Sequence, residues 1–360
     1  MAILNLDLDN DSKLVNADIP QQHARYTLLP EHAPHSHTLM AYPSIESADD
    51  EPHLHALQSE IVGIANAISS FEPVHLYTRD ELIDQAKSQT SSNVIVRPAL
   101  LNELWIRDSG PVYVRNASTC QRTAINFNFN YWGNKLPFKG DEHLATRIIQ
   151  QTNDQSIKSR LTMEGGAIEH DGQGTFLGAE SCIINDNRNK GWTKADIETE
   201  LKTILGVSHF IWIPGLKNHD ITDYHIDALA RFTEPGVILL SKPFPTAPSI
   251  VHKAYDETRT ILQNSKDAKG RSLTIYDCEE PDTTALGPPD ANNEVVASYA
   301  NYLLVNGGVI IPKFGQEEQD SKALELFKRL FPTREVVQVK INMLPRTGGG
   351  IHCATQHVPL

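Results

Sequence analysis

The chain ends with "RTGGGIHCATQHVPL", residues 346–360, in which three glycines precede Cys353. The ends of a chain are usually poorly ordered unless another element holds them. The glycines let neighbouring groups pack closely, and the backbone N–H groups of Gly349 and Gly350 would be free to face a developing negative charge. Cys353 is therefore either a small buried apolar residue or a reactive thiol beside an oxyanion-binding loop.

The composition fits a folded protein with an acidic balance. The chain has 360 residues, of which 40% are apolar and 21% are charged, and 45 acidic against 32 basic residues give a net charge of −13. This length suffices for one large domain or for two. Basic runs are missing, so we expect no nucleic-acid partner. A small cationic substrate would be attracted.

Cysteine usage and hydropathy indicate a compartment. The four cysteines, at positions 120, 182, 278 and 353, are widely spaced without a CxxC pair, which argues against a disulfide scaffold and a zinc site. No run approaches the roughly 18 apolar residues of a membrane helix. The N-terminus lacks the basic and apolar regions of a signal peptide. We therefore expect a cytoplasmic protein that needs no metal and has no membrane partner.

The chain has a repeated organisation after a polar N-terminal extension, residues 1–25. We expect residues 26–360 to form one α/β domain. Helical periodicity with charged flanks occurs at 53–72, 141–153, 193–207, 249–265 and 320–333. Runs typical of strands or hairpins lie at 73–79, 93–100, 122–132, 209–215, 236–243, 272–279, 301–312 and 335–344. This pattern suggests five similar units. A doubly wound sheet is the main competitor, although no GxGxxG opens a helix after a first strand.

The segment "ELWIRDSGPVYV", residues 103–114, interrupts this pattern. Asp108 stands between an aromatic residue and a Gly-Pro turn, where a carboxylate could bind a cation at the mouth of a pocket. The alternative is an ordinary Asp-Ser-Gly turn in which Asp108 hydrogen-bonds the backbone.

The segment "MEGGAIEHDGQGTFLG", residues 163–178, contains two glycine motifs. "DGQG" predicts a hairpin turn without chemistry. In "EGG", the glycines after Glu164 would let a ligand or another part of the backbone approach closely. A β-bulge is the alternative.

The segment "HDITDYHIDALARF", residues 219–232, holds two histidines and several acids. If the run from His225 is extended, His225 and Asp227 point to the same side and form a base with a substrate anchor. A helix N-terminus capped by Asp and Thr is the alternative. The spacing does not indicate a zinc or iron site. Whether His225 or His219 carries the proton stays open.

Taken together, "WIRDSGP", "EGGAIEHDGQGT", "DITDYHIDALARF" and "GGGIHCATQHVP" resemble the agmatine deiminase and Porphyromonas-type peptidylarginine deiminase family of guanidine-modifying enzymes. The resemblance extends over residues 105–359 in the family's order. It implies a five-bladed α/β propeller, or pentein, of ββαβ-like units around a central site. The last segment would then return to the core.

The resemblance also implies a role for each residue of the set. Cys353 would be the nucleophile and His225 the general acid and base. Asp108 and Asp227 would bind the guanidinium nitrogens, and Glu164 would support the substrate or the histidine. Such an enzyme needs no metal or organic cofactor. Similar enzymes are frequently homo-oligomers.

Two positions depart from the family pattern. Tyr224 stands where many relatives carry glycine, so the phenol would narrow the pocket or bind the substrate's tail. His357 stands where glutamine is common, and we expect it to act through residues that contact the site.

Agmatine, converted to N-carbamoylputrescine, is the leading substrate, because Trp105 and Tyr224 could form an aromatic cage for its ammonium. Free arginine would need a cation for its α-carboxylate, for which Arg107 and Arg346 are candidates. Peptidyl arginine is the runner-up and needs an open cleft. An amidinotransferase and a non-catalytic guanidine-binding protein are the remaining alternatives.

Overall fold

The computed structural model describes residues 25–137, 140–289 and 294–360. The predicted extension, residues 1–25, lies outside the described residues except for its last position. Within this part of the chain, none of the helices combines the length and the apolar character that crossing a bilayer requires.

All five predicted helices are confirmed, with ends within a few residues of the prediction. The helices are α1 Glu51–Ser69, α2 Ile83–Gln89, α3 Ile106–Ser109, α4 Tyr131–Asn134, α5 Leu144–Thr152, α6 Glu180–Ile183, α7 Asp186–Asn189, α8 Lys194–Leu205, α9 Ser249–Asn264, α10 Glu317–Leu330 and α11 Met343–Arg346. Single 3₁₀ turns lie at Ile45–Ser47, Asp80–Leu82, Asp141–His143, Gly165–Ala167, Ile226–Ala228 and Thr283–Leu286.

Helix α8 shows why these segments form helices. The Thr193 side chain accepts from the backbone N–H of Asp196, and the Asp196 carboxylate accepts from that of Thr193, so two orphan donors are satisfied at the start. Gly206, with φ of 70°, ends the helix in the left-handed conformation that favours glycine.

The strands are β1 Tyr26–Thr27, β2 His35–Ala41, β3 Val74–Thr78, β4 Val94–Pro98, β5 Val112–Asn116, β6 Arg122–Asn126, β7 Gln155–Lys158, β8 Glu169–His170, β9 Thr175–Ala179, β10 His209–Ile213, β11 Ala230–Glu234, β12 Val237–Lys242, β13 Thr274–Glu279, β14 Leu303–Val305, β15 Gly308–Lys313, β16 Glu335–Lys340 and β17 Thr355–Pro359. They form five sheets, with the orders β17-β2-β3-β4, β1-β5-β6-β7, β8-β9-β10, β11-β12-β13 and β14-β15-β16.

Every sheet contains the same unit. Two antiparallel strands are followed by a helix and then by a strand that is parallel to the second, as in β11-β12-α9-β13. The same order of directions occurs in the other four sheets. The predicted repetition of ββαβ units is therefore confirmed. None of the sheets in the described ranges is closed on itself.

The helices bury their apolar faces against the sheets. In α1, Leu57, Ile61, Ile64 and Ile68 are fully buried, at the spacing of one helix face. Each such side chain contributes about 1.5–3 kcal/mol through burial. Leu57→Ala would therefore destabilise the fold by about 2–5 kcal/mol.

The C-terminal strand β17 completes the first sheet. It pairs antiparallel with β2, so that Thr355 faces Met40 and His357 faces Thr38. The two ends of the domain are thus joined in one sheet, and Cys353 lies two residues before a strand held by backbone hydrogen bonds. The pairing of β17 with β2 explains how a cysteine near the C-terminal end of the sequence is held in place.

One predicted strand ends early. The run 122–132 is a strand only as far as Asn126. Tyr131, Trp132 and Asn134 instead have φ of 55°, 53° and 61°, in the left-handed region. Side chains there cost about 1–2 kcal/mol per residue, so tertiary contacts must hold this turn against local preference.

Candidate active site

A cavity of about 150 Å³ reaches the Cys353 thiol. Its wall comes from the loop before β11, the start of α9, the end of β13 and the segment 294–298. His225 and Asp227 line it together with Cys353, so the structure brings three of the predicted site residues to one surface.

Asn301, which the sequence did not single out, holds the cysteine. Its amide nitrogen donates to the Cys353 sulfur at 3.1 Å. Its carbonyl oxygen accepts from the backbone N–H groups of His352, at 2.9 Å, and Cys353, at 3.2 Å. The Arg107 N–H donates to the Cys353 carbonyl at 3.2 Å. Cys353 is therefore held by hydrogen bonds at its sulfur, its backbone N–H and its backbone carbonyl.

The glycine triplet differs from the prediction of a free N–H pair. The Gly349 N–H donates to the Leu344 carbonyl, because the turn after α11 satisfies that helix's last carbonyls. The Gly350 N–H acts on the Cys353 sulfur, where it lowers the pKa of the thiol. A Cβ at Gly349 would lie 2.6 Å from the Trp105 ring. The triplet thus serves close packing around the thiol.

His225 lies among carboxylates. Its Nε2 is 3.3 Å from Glu164 Oε2, and its Nδ1 is 3.7 Å from Asp108 Oδ2. Burial lowers the pKa of His225, but the charges of Asp108 and Glu164 outweigh burial and raise it to about 9. The imidazole is therefore cationic near neutral pH and can donate a proton. His225 itself is extended, but Asp227 follows in a 3₁₀ turn, so the predicted extended run is wrong beyond His225.

Gly166 explains the "EGG" motif. A Cβ at this position would lie 2.6 Å from His225 Nδ1 and 2.8 Å from Asp108 Oδ1. The Gly166 N–H donates to Asp108 Oδ1 at 3.0 Å. Glycine is thus required because the backbone passes directly against two of the predicted site residues.

Glu164 is held by Arg188, whose role the sequence did not reveal. The Arg188 Nε donates to both carboxylate oxygens of Glu164, at 2.8 and 3.0 Å, and Nη1 donates to Asp223 at 2.9 Å. Although burial raises the pKa of Glu164, the Arg188 charge outweighs it and lowers the pKa below its usual value. Glu164 is therefore ionised, and its carboxylate lies beside the His225 imidazole.

Asp108 is buried and tied to neutral donors. Trp132 Nε1 donates to its Oδ2 at 2.8 Å, from the left-handed turn described above. Burial raises the pKa of Asp108 to about 6, against the opposing effect of the His225 charge. Strained backbone often persists at functional sites, and here it positions the Trp132 indole.

Asp227 has a charged network behind it. Its Oδ2 is 2.8 Å from His352 Nδ1, and His352 Nε2 is 2.9 Å from Glu31 Oε2. The Glu31 carboxylate in turn pairs with Arg231 at 2.8 Å. Burial acts to raise the pKa of Asp227, but His352 and the nearby cations lower it to about 2. Its Oδ1 is buried without a hydrogen-bond partner among the described residues.

The cysteine itself is protonated in this environment. Burial, followed by the charges of Asp227 and Asp108, raises the pKa of the Cys353 thiol well above its usual range. Hydrogen bonds from Gly350 and Asn301 act in the opposite direction but are weaker. The Cys353 sulfur lies 3.5 Å from Asp227 Oδ2. A cation that binds beside these two carboxylates would oppose the effect of their charges on the pKa of the thiol.

The predicted substrate-binding residues are divided by the structure. Tyr224 lines the cavity with a φ of 78°, which explains why glycine is the easier residue there, and its ring contacts His219. Among the described residues, Trp105, Arg107 and Arg346 do not line the cavity. Asp108 and Glu164 do not line it either, but both contact His225, which does. Trp105 packs on Gly349, so it does not cage a ligand with Tyr224.

The two arginines are committed elsewhere. Arg107 is buried, and its Nε donates to the His352 carbonyl at 3.2 Å. The Arg346 Nε donates to the Pro288 carbonyl at 2.8 Å. Neither therefore faces a ligand carboxylate in the cavity. His357 lies 3.5 Å from Arg107 Nη1, consistent with an indirect effect on the cysteine segment.

In the described ranges, no set of three or more His, Cys, Asp or Glu side chains has the arrangement of a metal site. The acids of the site contact histidine, arginine and backbone donors instead.

Comparisons with known proteins identify the family of the chain. A family model described as Porphyromonas-type peptidyl-arginine deiminase matches residues 27–359. Agmatine deiminase of Pseudomonas syringae pv. syringae is 34% identical over 331 residues, covering 84% of this chain and 87% of the relative. Agmatine deiminase of Pseudomonas fluorescens strain SBW25 is 33% identical over 326 residues, with 84% and 87% covered.

A solved structure shows the same mixed α/β fold. The agmatine deiminase of Enterococcus faecalis superposes with a TM-score of 0.85 at 27% identity, covering 93% of this chain and 96% of that chain. The family match spans both ends of the site, from the segment of Glu31 to that of Cys353. The chain therefore belongs to the Porphyromonas-type peptidyl-arginine deiminase family.

Proposed function

We propose that this protein is a hydrolase that deiminates agmatine, giving N-carbamoylputrescine and ammonia. The observation that carries the proposal is the convergence of one thiol, one cationic histidine and two buried carboxylates, at Cys353, His225, Asp108 and Asp227. The names of the relatives support agmatine as the substrate.

Binding of the guanidinium follows from the two carboxylates. A guanidinium is planar and cationic, and carboxylates bind its N–H groups with directed, charge-assisted hydrogen bonds. Asp227 has one buried oxygen without a described partner, which can accept such a bond directly. Asp108 can accept with its remaining lone pairs. Between them the central carbon would lie within reach of the Cys353 sulfur.

The bound cation would also activate the thiol. Asp108 and Asp227 raise the pKa of Cys353 in the free protein. A guanidinium between them neutralises this field and lowers the thiol pKa. The thiolate would therefore form mainly when substrate is bound, and the thiol proton would leave to solvent.

The covalent steps assign two uses to His225. The Cys353 thiolate adds to the guanidinium carbon, His225 protonates one nitrogen, and that nitrogen leaves as ammonia. An S-alkylthiouronium remains on the cysteine. His225, now neutral, takes a proton from a water that attacks the same carbon. Cleavage of the carbon–sulfur bond forms the carbonyl of the carbamoyl product, and the remaining hydroxyl proton passes to the released sulfur, which restores the thiol of the free protein. Glu164, held by Arg188, would stabilise the imidazolium in both steps.

We further propose that the five sheets are arranged as propeller blades around this site, within one domain spanning residues 26–360. The repeated ββαβ units and the pairing of β17 with β2 support that arrangement. A cytosolic location and a homo-oligomeric state stay predictions.

Ammonia release tests the substrate and the nucleophile together. Wild-type protein and Cys353→Ser receive agmatine, free arginine and a blocked arginine peptide in parallel. We expect release from agmatine, lost by about a thousandfold or more in the variant, because no other group replaces the thiolate. Cys120→Ser, which changes an exposed thiol, is the matched control.

The other outcomes identify the alternatives. Release chiefly from the peptide would make the protein a peptidylarginine deiminase. Silence on all three would contradict deimination and favour an amidinotransferase or a binding protein.

A further inference from the structure

The cavity wall contains a carboxylate that the proposed chemistry does not use. Glu280, at the end of β13, lines the same cavity as Cys353 and His225. Ser241 Oγ donates to its Oε1 at 2.7 Å, and Ser241 Oγ is 2.8 Å from Ser298 Oγ. Glu280 is therefore oriented by a hydroxyl pair, while its Oε2 forms no hydrogen bond with a described residue.

Glu280 also lacks a counter-charge. Among the residues that the structure describes, none of the Lys, Arg or His side chains forms an ion pair with it. Burial alone raises its pKa to about 7, opposed only by the Ser241 hydrogen bond. A partly buried carboxylate without a cation is unfavourable, and this one faces a cavity that a ligand can enter.

The other acids of the wall are engaged or exposed. Asp220 accepts from the N–H groups of Thr222 and Tyr224, so it serves its own loop. Asp227 lies against the sulfur, where the guanidinium is proposed to bind. Glu294 is exposed. Among the described residues of this wall, Glu280 is thus the acid that is both desolvated and not already committed.

Tyr224 links Glu280 to the substrate path. Both residues line the cavity, and burial followed by the Glu280 charge raises the pKa of the Tyr224 phenol. The Tyr224 ring contacts His219 and is held with a positive φ. An aromatic face beside a carboxylate is a suitable environment for an ammonium group.

We propose that Glu280 binds the distal ammonium of a guanidinoalkylamine, with Tyr224 forming the adjoining wall. This inference rests on the proposed function and identifies the residue that selects the tail of the substrate. A carboxylate at this place favours a cationic tail and repels the α-carboxylate of arginine. It therefore separates agmatine from free arginine by charge.

A comparison of two substrates tests this with the unmodified protein. Butylguanidine has the four-carbon chain and the guanidinium of agmatine but no ammonium. We expect kcat/KM for agmatine to exceed that for butylguanidine by about tenfold or more, as for loss of one charge-assisted contact. Equal values would overturn the inference while leaving guanidine deimination intact. Ammonia release from neither substrate would instead reject the proposed function.

A variant pair assigns the preference to a residue. In Glu280→Gln, which keeps an acceptor for Ser241, the ratio of kcat/KM for agmatine to that for butylguanidine should fall about tenfold. In the control Glu294→Gln, which removes an exposed acid at the same cavity, the ratio should change less than about twofold. An unchanged ratio in Glu280→Gln, or an equal fall in both variants, would overturn the inference.

Discussion

Asp108 and Asp227 are both buried near the cysteine, but they differ in pKa. Asp108 is 5% exposed and Asp227 is fully buried, yet the pKa of Asp108 is raised to about 6 and that of Asp227 is lowered to about 2. Behind Asp227 lie His352 and a buried arginine network. Around Asp108 lie an indole, a backbone N–H and other acids.

The groups that contact each aspartate, more than its burial, therefore decide its pKa. Burial disfavours the charge of both groups. Asp227 is ionised before substrate arrives, because His352 and its neighbours compensate that penalty. Asp108 is close to titration and depends on the cation of His225 and on the substrate. In the proposed mechanism, Asp227 would therefore anchor the guanidinium, and Asp108 would be coupled to proton transfer.

Replacement of the histidine beside Asp108 should have the largest effect on activity. His225→Asn should lower kcat/KM for ammonia release by about 10²–10⁴-fold, because the proton donor of the Asp108 side is lost. His219→Asn should have little effect, because His219 contacts the Tyr224 ring but not the acids around Cys353. Equal mild losses in the two variants would sink the assignment.

Removal of the arginine behind Glu164 would have the next largest effect. Arg188→Met should lower the free energy of unfolding by about 3–5 kcal/mol, because Glu164 and Asp223 lose their buried counter-charge. Lys322→Met is the control, since Lys322 pairs with Glu318 at the surface, where the cost is about 1 kcal/mol or less. Denaturant unfolding measures both. Equal losses of unfolding free energy in the two variants would mean that ion pairing does not stabilise the buried network.

The pH profile separates the aspartates most finely. With butylguanidine, which avoids Glu280, kcat/KM of the wild-type protein should fall as the pH drops through about 6, because Asp108 becomes protonated and stops binding the guanidinium. It should also fall above about pH 9, because His225 loses its proton.

The variants assign the acid limb. Asp108→Asn should lack it, since no group titrates at that position. Asp227→Asn should keep it at a kcat/KM reduced by about ten- to hundredfold, since Asp227 stays ionised down to about pH 2. Retention of the limb in Asp108→Asn would show that another group titrates there.

Much of the fold was accessible from the sequence. The five long helices have amphipathic periodicity, so their positions were predicted within a few residues. The predicted runs do not include strands β1, β2, β5, β7, β8, β9, β11 and β17. Of these, β2 and β17 are buried on nearly all sides and lack alternation. The turn at 131–134 was missed because its left-handed backbone opposes local preference.

The site was predicted as separate motifs but not as a network. Cys353, His225 and the acids stand in recognisable segments with turns and glycines. Asn301, Arg188 and Glu31 act across more than 20 positions of sequence, and nothing local marks a long-range partner. His352 was visible beside Cys353, and its position next to the thiol is the one signal that could have suggested a supporting role.

The proposed mechanism requires that the Cys353 thiol stays protonated until a cation binds. The ultraviolet absorbance of thiolate, measured against pH for the wild-type protein minus Cys353→Ser, tests this without substrate. The account predicts no thiolate from Cys353 below its usual titration range, because Asp108 and Asp227 raise its pKa. A thiolate step near neutral pH in the free protein would contradict it, since the cysteine would then be activated without the guanidinium.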